Sequence, residues 1–206
     1  NFKTKDFEWK TTFNLSHNTN KVVNLDGDQT EIVSGTQIHK IGHSYRTFYM
    51  IEFAGINPEN GNPQFYKNDL LEDGSYNKEI TEKASEAKSI MLDKHAEPNV
   101  TGGLYNSFRY KWFDLSFLFN YQFGGWSYDT WAQKTEHGGY DMEANIPTYY
   151  ADSWKKPGDV TKYEQFYEKS SSVAMHKITN SRRLHSTDFL RLKAFTLGFT
   201  LPKQWL

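Results

Sequence analysis

Seven histidines, scattered acids and a large stock of aromatic residues are the side chains here best able to do chemistry. His39 and His43 stand at i, i+4, the spacing at which two imidazoles on one helix face hold zinc. No Glu follows His39, and Gly42 and Tyr45 favour an extended segment, so no ligand pair is expected. Asp26-Gly27-Asp28 opens like a calcium loop but reads more simply as a turn. No serine lies in a Gly-x-Ser-x-Gly elbow, and the absence of cysteine removes thiol catalysis, disulfides and Cys-type zinc sites. The expectation is a protein that is not an enzyme, with no catalytic residues, no metal and no cofactor.

Binding is the better-supported chemistry. Trp126, Tyr128, Trp131, Tyr140, Tyr149, Tyr150 and Trp154 lie in an otherwise polar stretch. Flat apolar rings with polar tips stack on sugar C–H faces and on peptide side chains. Trp126, Trp131, Tyr149, Tyr150 and Trp154 are therefore candidate substrate-binding or partner-contact residues. The competing reading is that they pack within their own loop or against a partner protein.

The elements that must position these rings are strands. From Phe113 the odd positions read Phe113, Leu115, Phe117, Phe119, Tyr121 and Phe123, while the even positions read Asp114, Ser116, Leu118, Asn120 and Gln122, four of the five polar. This period of two describes a ribbon with one greasy and one wet face. At about 3.3 Å per residue and a tilt of about 40°, such a run rises about 27 Å, against about 25 Å for the apolar band of an outer-membrane barrel. Lys5–Leu15 repeats the pattern, with Phe7, Trp9, Thr11, Phe13 and Leu15 on one face and Asp6, Glu8, Lys10, Thr12 and Asn14 on the other. A packed core would not accept those charges unpaired, but a water-filled lumen would. Val100–Tyr110 is a third strand, joined to the next by a tight hairpin at Lys111. Phe189–Leu201 is a fourth, whose parity breaks at Arg191 and Lys193 and implies a bulge near Leu192.

Composition agrees with this reading. Phe (15) and Tyr (13) carry most of the apolar load, as suits half-wetted strands. A net charge of −1 gives no basic excess, so nucleic acid is a poor partner. No run of 18 apolar residues is present to make a transmembrane helix.

Residues 16–98 and 125–186 read as long connections. Asn57-Pro58-Glu59-Asn60-Gly61-Asn62-Pro63 must turn, and Thr81–Leu92 is expected to form a short helix. Long connections alternating with tight turns are the pattern of a transmembrane barrel, with turns in the periplasm and loops outside the cell. Trp9, Tyr110, Trp112, Phe113 and Trp205 would then line the periplasmic rim, and Tyr121, Phe123 and Trp126 the outer one.

Several phrases carry a family likeness. Phe7-Glu8-Trp9 with Asn14 to Leu25, Ala54 to Pro63, Gly102-Gly103-Leu104-Tyr105-Asn106 running on to Ser116, Trp154 to Thr161, and Asp188 to Pro202 each resemble a signature of the SusC/RagA family, in the family's order. The resemblance implies an all-β, antiparallel transmembrane β-barrel segment with long extracellular loops, part of a TonB-dependent transporter barrel of about 22 strands. It implies the outer membrane of a Gram-negative, Bacteroidota bacterium. It further implies a SusD-like surface lipoprotein as lid, TonB acting through a plug domain, and an oligosaccharide or oligopeptide substrate. Residues 1–206 would be a C-terminal part of that barrel, with the plug and the closing strands outside them. The Asp-rich run that often follows the Asn-Pro-Glu-Asn-Gly turn is reduced here to Glu72, Asp73 and Asn77 within Leu70–Asn77, which places a metal in doubt.

In this frame Phe113, Leu115, Phe117, Phe119, Tyr121 and Phe123 face lipid, while Asp6, Glu8, Lys10, Asp114, Asn120 and Gln122 face the lumen. Two other functions fit less of the chain: a soluble all-β glycan-binding module, and a barrel enzyme such as an outer-membrane lipase.

Overall fold

The computed structural model describes residues 1–141, 143–167 and 175–202. In chain order its strands are β1 (Phe2–Lys3), β2 (Phe7–His17), β3 (Glu31–Ser34), β4 (Gln37–Lys40), β5 (Thr47–Ile51), β6 (Phe53–Ile56) and β7 (Pro63–Tyr66). There follow β8 (Ile80–Thr81), β9 (Ser89–His95), β10 (Val100–Tyr110), β11 (Phe113–Phe123), β12 (Trp126–Tyr128), helix α1 (Thr130–Thr135), β13 (Leu184–Ser186) and β14 (Phe189–Phe199). The chain divides into two compact units, one holding Asn1–Asn20, His95–Trp126 and the stretch from Ser186 onward, the other Lys21–Lys94 and Ser127–His185.

The first unit is a single antiparallel sheet in the order β1-β2-β10-β11-β14. Its neighbours in space are its neighbours in sequence once the long connections are set aside, so it is an up-and-down meander. Short connections join β1 to β2 and β10 to β11 at one rim, where the Lys111 N–H donates to the Asp6 carbonyl at 2.9 Å. The segments after β2 and after β11 leave from the opposite rim. Lys111 takes φ 54°, the positive sign that a two-residue hairpin between right-twisted strands requires.

Register decides the two faces. Phe7 lies opposite Tyr110, Trp9 opposite Phe108, and Phe13 opposite Leu104. Phe108 lies opposite Leu115 and Leu104 opposite Phe119. Phe113, Leu115 and Phe117 lie opposite Phe199, Leu197 and Phe195. Because side chains alternate along each strand, all of these share one face. The other face carries Glu8 opposite Arg109, and Arg109 opposite Asp114. There the Arg109 Nε is 2.8 Å from Asp114 and the Lys10 ammonium 2.8 Å from Glu8.

The bulge implied by the sequence is present. Leu118 pairs with Ala194 while Phe119 pairs with Leu192, leaving Lys193 as the extra residue. The extra residue resets parity, so Leu190 and Leu192 rejoin the face of Phe195 and Leu197 despite Arg191 and Lys193. Gly102 serves a close approach: Tyr121, directly across from it, donates its hydroxyl to the Asn14 carbonyl at 2.8 Å. A Cβ on Gly102 would sit 2.3 Å from both of those oxygens.

Residues 16–98 and 125–186 are not bare loops. The second unit contains the sheets β3-β4-β5-β9 and β6-β7-β8. Its core includes Ile38, Phe48, Met50, Ile90 and Leu92, with Phe65, Met175 and Ile178 in one buried cluster. The helix expected over Thr81–Leu92 is absent. That span instead holds the end of β8, a single 3-10 turn at Ala84–Glu86 and the start of β9. Ile90 and Leu92 are buried while Ser89, Met91 and Asp93 are not, a period of two imposed by the core over local helix preference. His39 lies on β4, its ring stacked on Tyr45 at 4.7 Å and its Nδ1 accepting from the Arg46 N–H. Asp73 accepts from the N–H and hydroxyl of Ser75 as a turn cap. Among the described residues no group of three or more acids and histidines could hold a metal ion.

Candidate functional site: a two-faced wall and an aromatic loop

Five of the six expected lumen-facing residues are strand residues of the polar face: Glu8, Lys10, Asp114, Asn120 and Gln122. Asp6 lies instead in the turn between β1 and β2, at the rim. Asn120 is paired with Arg191 of β14, and Gln122 donates to the Thr187 hydroxyl at 3.0 Å. The residues expected to face lipid, Phe113, Leu115, Phe117, Phe119, Tyr121 and Phe123, share the opposite face with large apolar side chains of three further strands, β2, β10 and β14. On that face Phe13, Phe195 and Leu197 are 63%, 62% and 70% exposed. A contiguous apolar surface of this size marks contact with hydrocarbon or with protein. Trp9, Tyr110, Trp112 and Phe113 stand at the hairpin rim and Tyr121 and Phe123 at the other; Trp205 falls outside the described residues.

The aromatic stretch is built around buried charge. Asp129 accepts from the Ala132 N–H to start α1, and Glu136 follows that helix. Asn180 accepts from the Arg182 N–H and starts the short turn Ser181–Arg183, which presents two arginines. Glu136 Oε2 takes Arg182 Nη2 at 2.8 Å and Arg183 Nε at 2.9 Å. Glu164, wholly buried, takes the other Arg182 nitrogen and the Tyr150 hydroxyl, the latter at 2.9 Å. Burial works against the Arg182 charge, but Glu164, Tyr150 and Glu136 more than offset it and raise its pKa.

The five candidate ring residues divide. Tyr150 is fully buried, with its hydroxyl between Glu164 and the Glu136 carbonyl, so it is a core group with no face for a ligand. Burial, then Glu164, raises its pKa. Trp154 is wedged onto the 57–63 turn: its indole donates to the Pro58 carbonyl at 2.9 Å, and a Cβ on Gly61 would lie 2.5 Å from its ring. Trp126 is half-buried on β12. Trp131 is 73% exposed on α1, with the Lys134 ammonium 5.2 Å from its ring. Tyr149 presents one face outward while its hydroxyl donates to Glu136 at 3.0 Å. Burial first, then the Glu136 charge, pushes its pKa up to about 12, so it remains a donor.

A second hub was not foreseen. Glu82 accepts from the side-chain amides of Asn57, Asn60 and Asn62 of the turn. The amide orientations are fixed from behind, since Asn57 Oδ1 accepts from Glu59 N–H and Asn60 Oδ1 from Asn62 N–H. Nothing in the spacing announced Glu82, Glu136, Glu164, Arg182 or Arg183, which read as ordinary solvated charges until the fold brings them together.

No family model matches the chain. Two proteins of Formosa agariphila, each described as a TonB-dependent receptor, do match. One is 28% identical over 224 residues, covering 100% of this chain and 21% of its own length. The other is 25% identical over 233 residues, covering 94% of this chain and 22% of its own. Among solved structures, the RagAB peptide transporter superposes with a TM-score of 0.79 at 25% identity, covering 98% of this chain and 22% of the transporter chain. Over its whole length the chain is similar to TonB-dependent receptors and to the RagAB peptide transporter. A RagAB peptide importer in a "closed-closed" state matches at 26% identity with a TM-score of 0.78, covering 99% of this chain and 22% of that one. The chain thus spans about a fifth of the length of its curated relatives. The relationship makes the fold an antiparallel segment of a TonB-dependent transporter barrel, left open as it stands, in a family of outer-membrane receptors and transporters.

Proposed function

We propose that residues 1–206 supply wall and outward loops to a TonB-dependent outer-membrane importer of oligomeric nutrients, oligosaccharide or oligopeptide. The part is the C-terminal portion of the barrel, with plug domain and closing strands contributed by sequence outside it. A SusD-like surface lipoprotein serves as lid, and TonB acts through the plug. The role is transport and not catalysis.

The observation that carries this reading is the register across β2, β10, β11 and β14, which sorts most of the large apolar side chains to one face and most of the charged or amide side chains to the other. A sheet of this kind is stable with hydrocarbon on one side and water on the other. Phe113, Leu115, Phe117, Phe119, Tyr121 and Phe123 then face lipid, and Glu8, Lys10, Asp114, Asn120 and Gln122 the lumen, with Asp6 at its periplasmic edge. The same exposed apolar face counts against a soluble glycan-binding module. Peptide import by RagAB supports the transport reading and keeps peptide among the substrates.

The test is uptake by cells carrying the full-length protein, supplied with labelled hexasaccharides or hexapeptides. Accumulation should stop when TonB is deleted. Accumulation that continues without TonB would refute the proposal.

A further inference from the structure

The β1–β2 turn and the β10–β11 hairpin stand side by side at one rim, tied by the Lys111 N–H on the Asp6 carbonyl. Between them lies a pocket of about 520 Å³ that straddles the end of the sheet. Glu8 and Arg109 on its wall belong to the polar face, and Phe7 to the apolar one. The wall charges are already matched, Glu8 with Lys10 at 2.8 Å and Arg109 with Asp114 at 2.8 Å. Lys3, Lys5 and Lys111 also line the pocket, and none of them makes an ion pair among the described residues. Asp6 is the one further carboxylate there, so positive charge is in excess. The Lys111 ammonium leans to the apolar side, 5.4 Å from the centre of the Tyr110 ring. That face continues as a track of rings, with Phe7 6.3 Å from the exposed Phe2 and 6.4 Å from Phe108.

We infer that this pocket is a headgroup site for an anionic phospholipid of the periplasmic leaflet, its phosphate held by Lys5 and Lys111 and its acyl chains laid on Phe2 and Phe7. The inference rests on the importer reading, which puts this rim at the inner boundary between lipid and water. Three observations select the ligand. The excess of positive charge calls for an anion, and at this depth the anions at hand are headgroup phosphates. Trp9, Tyr110 and Trp112 gather at the same rim, and such amphipathic rings settle at the headgroup level. The pocket is charged at its polar wall and borders exposed rings at the other. That pairing fits a charged head joined to apolar chains better than a free phosphate or an acidic peptide, which would leave the rings uncovered.

The test uses the full-length transporter, stripped of lipid in detergent micelles, with bound lipid counted by native mass spectrometry. Dioleoyl phosphatidylglycerol, dioleoyl phosphatidylcholine and inorganic phosphate are the probes. Phosphatidylglycerol should bind, and its tightest site should weaken about tenfold or more when Lys5→Gln and Lys111→Gln are combined. A charge-matched pair in the second unit, Lys83→Gln with Lys88→Gln, should change it by less than about twofold. Equal outer-membrane levels of the variants establish that each one folds. Unchanged binding in the Lys5 and Lys111 variant overturns the site, and an equal loss in both pairs overturns it too, because net charge would then explain the effect. Phosphatidylcholine bound as tightly as phosphatidylglycerol overturns the anionic headgroup. Inorganic phosphate that displaces the lipid at equal concentration overturns the lipid as its source. TonB-dependent uptake by the same cells reports on the importer reading separately: the site can fail while uptake persists, whereas wild-type protein that never reaches the outer membrane overturns both.

Discussion

The Trp9 indole N–H donates to the Asn106 side-chain oxygen at 3.0 Å, on the largely apolar face of the sheet. Trp9 lies across from Phe108, two residues along from Asn106, so the bond runs diagonally between β2 and β10. Asn106 is 7% exposed, walled in by its neighbours. A polar group on a face turned to hydrocarbon needs such a partner, and Trp9 is placed to supply it. Trp9→Phe should lower the stability of the full-length barrel by about 1–3 kcal/mol, the cost of an unpaired buried amide. Trp9→Phe with Asn106→Leu should recover most of that loss. Urea unfolding in micelles checks both; an additive double variant would show that the bond contributes nothing.

Phe117→Arg in the full-length protein should block assembly, because arginine on the lipid face near the midplane costs about 2–4 kcal/mol. Asn120→Arg, on the polar face beside Arg191, should assemble at normal levels. Quantifying heat-modifiable barrel in outer-membrane fractions separates the two, and equal levels would mean the faces are assigned the wrong way round.

Arg182→Met should open the second unit. It leaves Glu164, fully buried, without its cation, a change that costs about 3–5 kcal/mol in buried ion pairs. Hydrogen exchange over residues 130–165 should rise by orders of magnitude while β10 and β11 keep their protection. Unchanged exchange over 130–165 would mean that the network does not hold the stretch together.

Glu82 should make the 57–63 turn acid-sensitive. Burial alone would raise its pKa, but the amides of Asn57, Asn62 and Asn60 outweigh this and hold it below 4.5. A carboxylate with a depressed folded pKa stabilises above its unfolded value and loses that contribution as pH falls through the folded one. Limited proteolysis of the turn should therefore accelerate as pH drops below 4.5, and Glu82→Gln should flatten the profile. A profile identical in both proteins would remove Glu82 from the explanation.

Gly61→Ala should dislodge Trp154. Gly61 has φ 73°, strained for alanine by about 1–2 kcal/mol, and the new methyl would meet the indole ring. A red shift in tryptophan emission and faster cleavage within 57–63 are expected. An emission spectrum matching wild type would show that the turn yields without moving the ring.

Legibility in the sequence followed the range of the interactions. β11 was readable to its ends because alternation is a local signal, set by each residue and its second neighbour, whereas Gly102, Gly103 and Asn106 weaken that signal in β10. The bulge in β14 was visible as a break in parity, although only pairing with Leu118 and Phe119 fixed it at Lys193. Thr81–Leu92 misled because local propensity favours helix there, and only the core that buries Ile90 and Leu92 selects a strand. Tyr150 and Tyr149 are adjacent in sequence and identical in type, yet one is a core residue and the other presents a face outward.

By itself, then, the sequence determined that these strands have two chemically different faces and that tight turns alternate with long segments between them. Both are properties of neighbours along the chain. Tertiary structure alone decided which polar groups meet, since Glu136 and Arg182 lie 46 residues apart and Asn62 and Gln165 103 apart. Such pairs carry no spacing signal, because they are joined by packing and not by the period of any strand or helix.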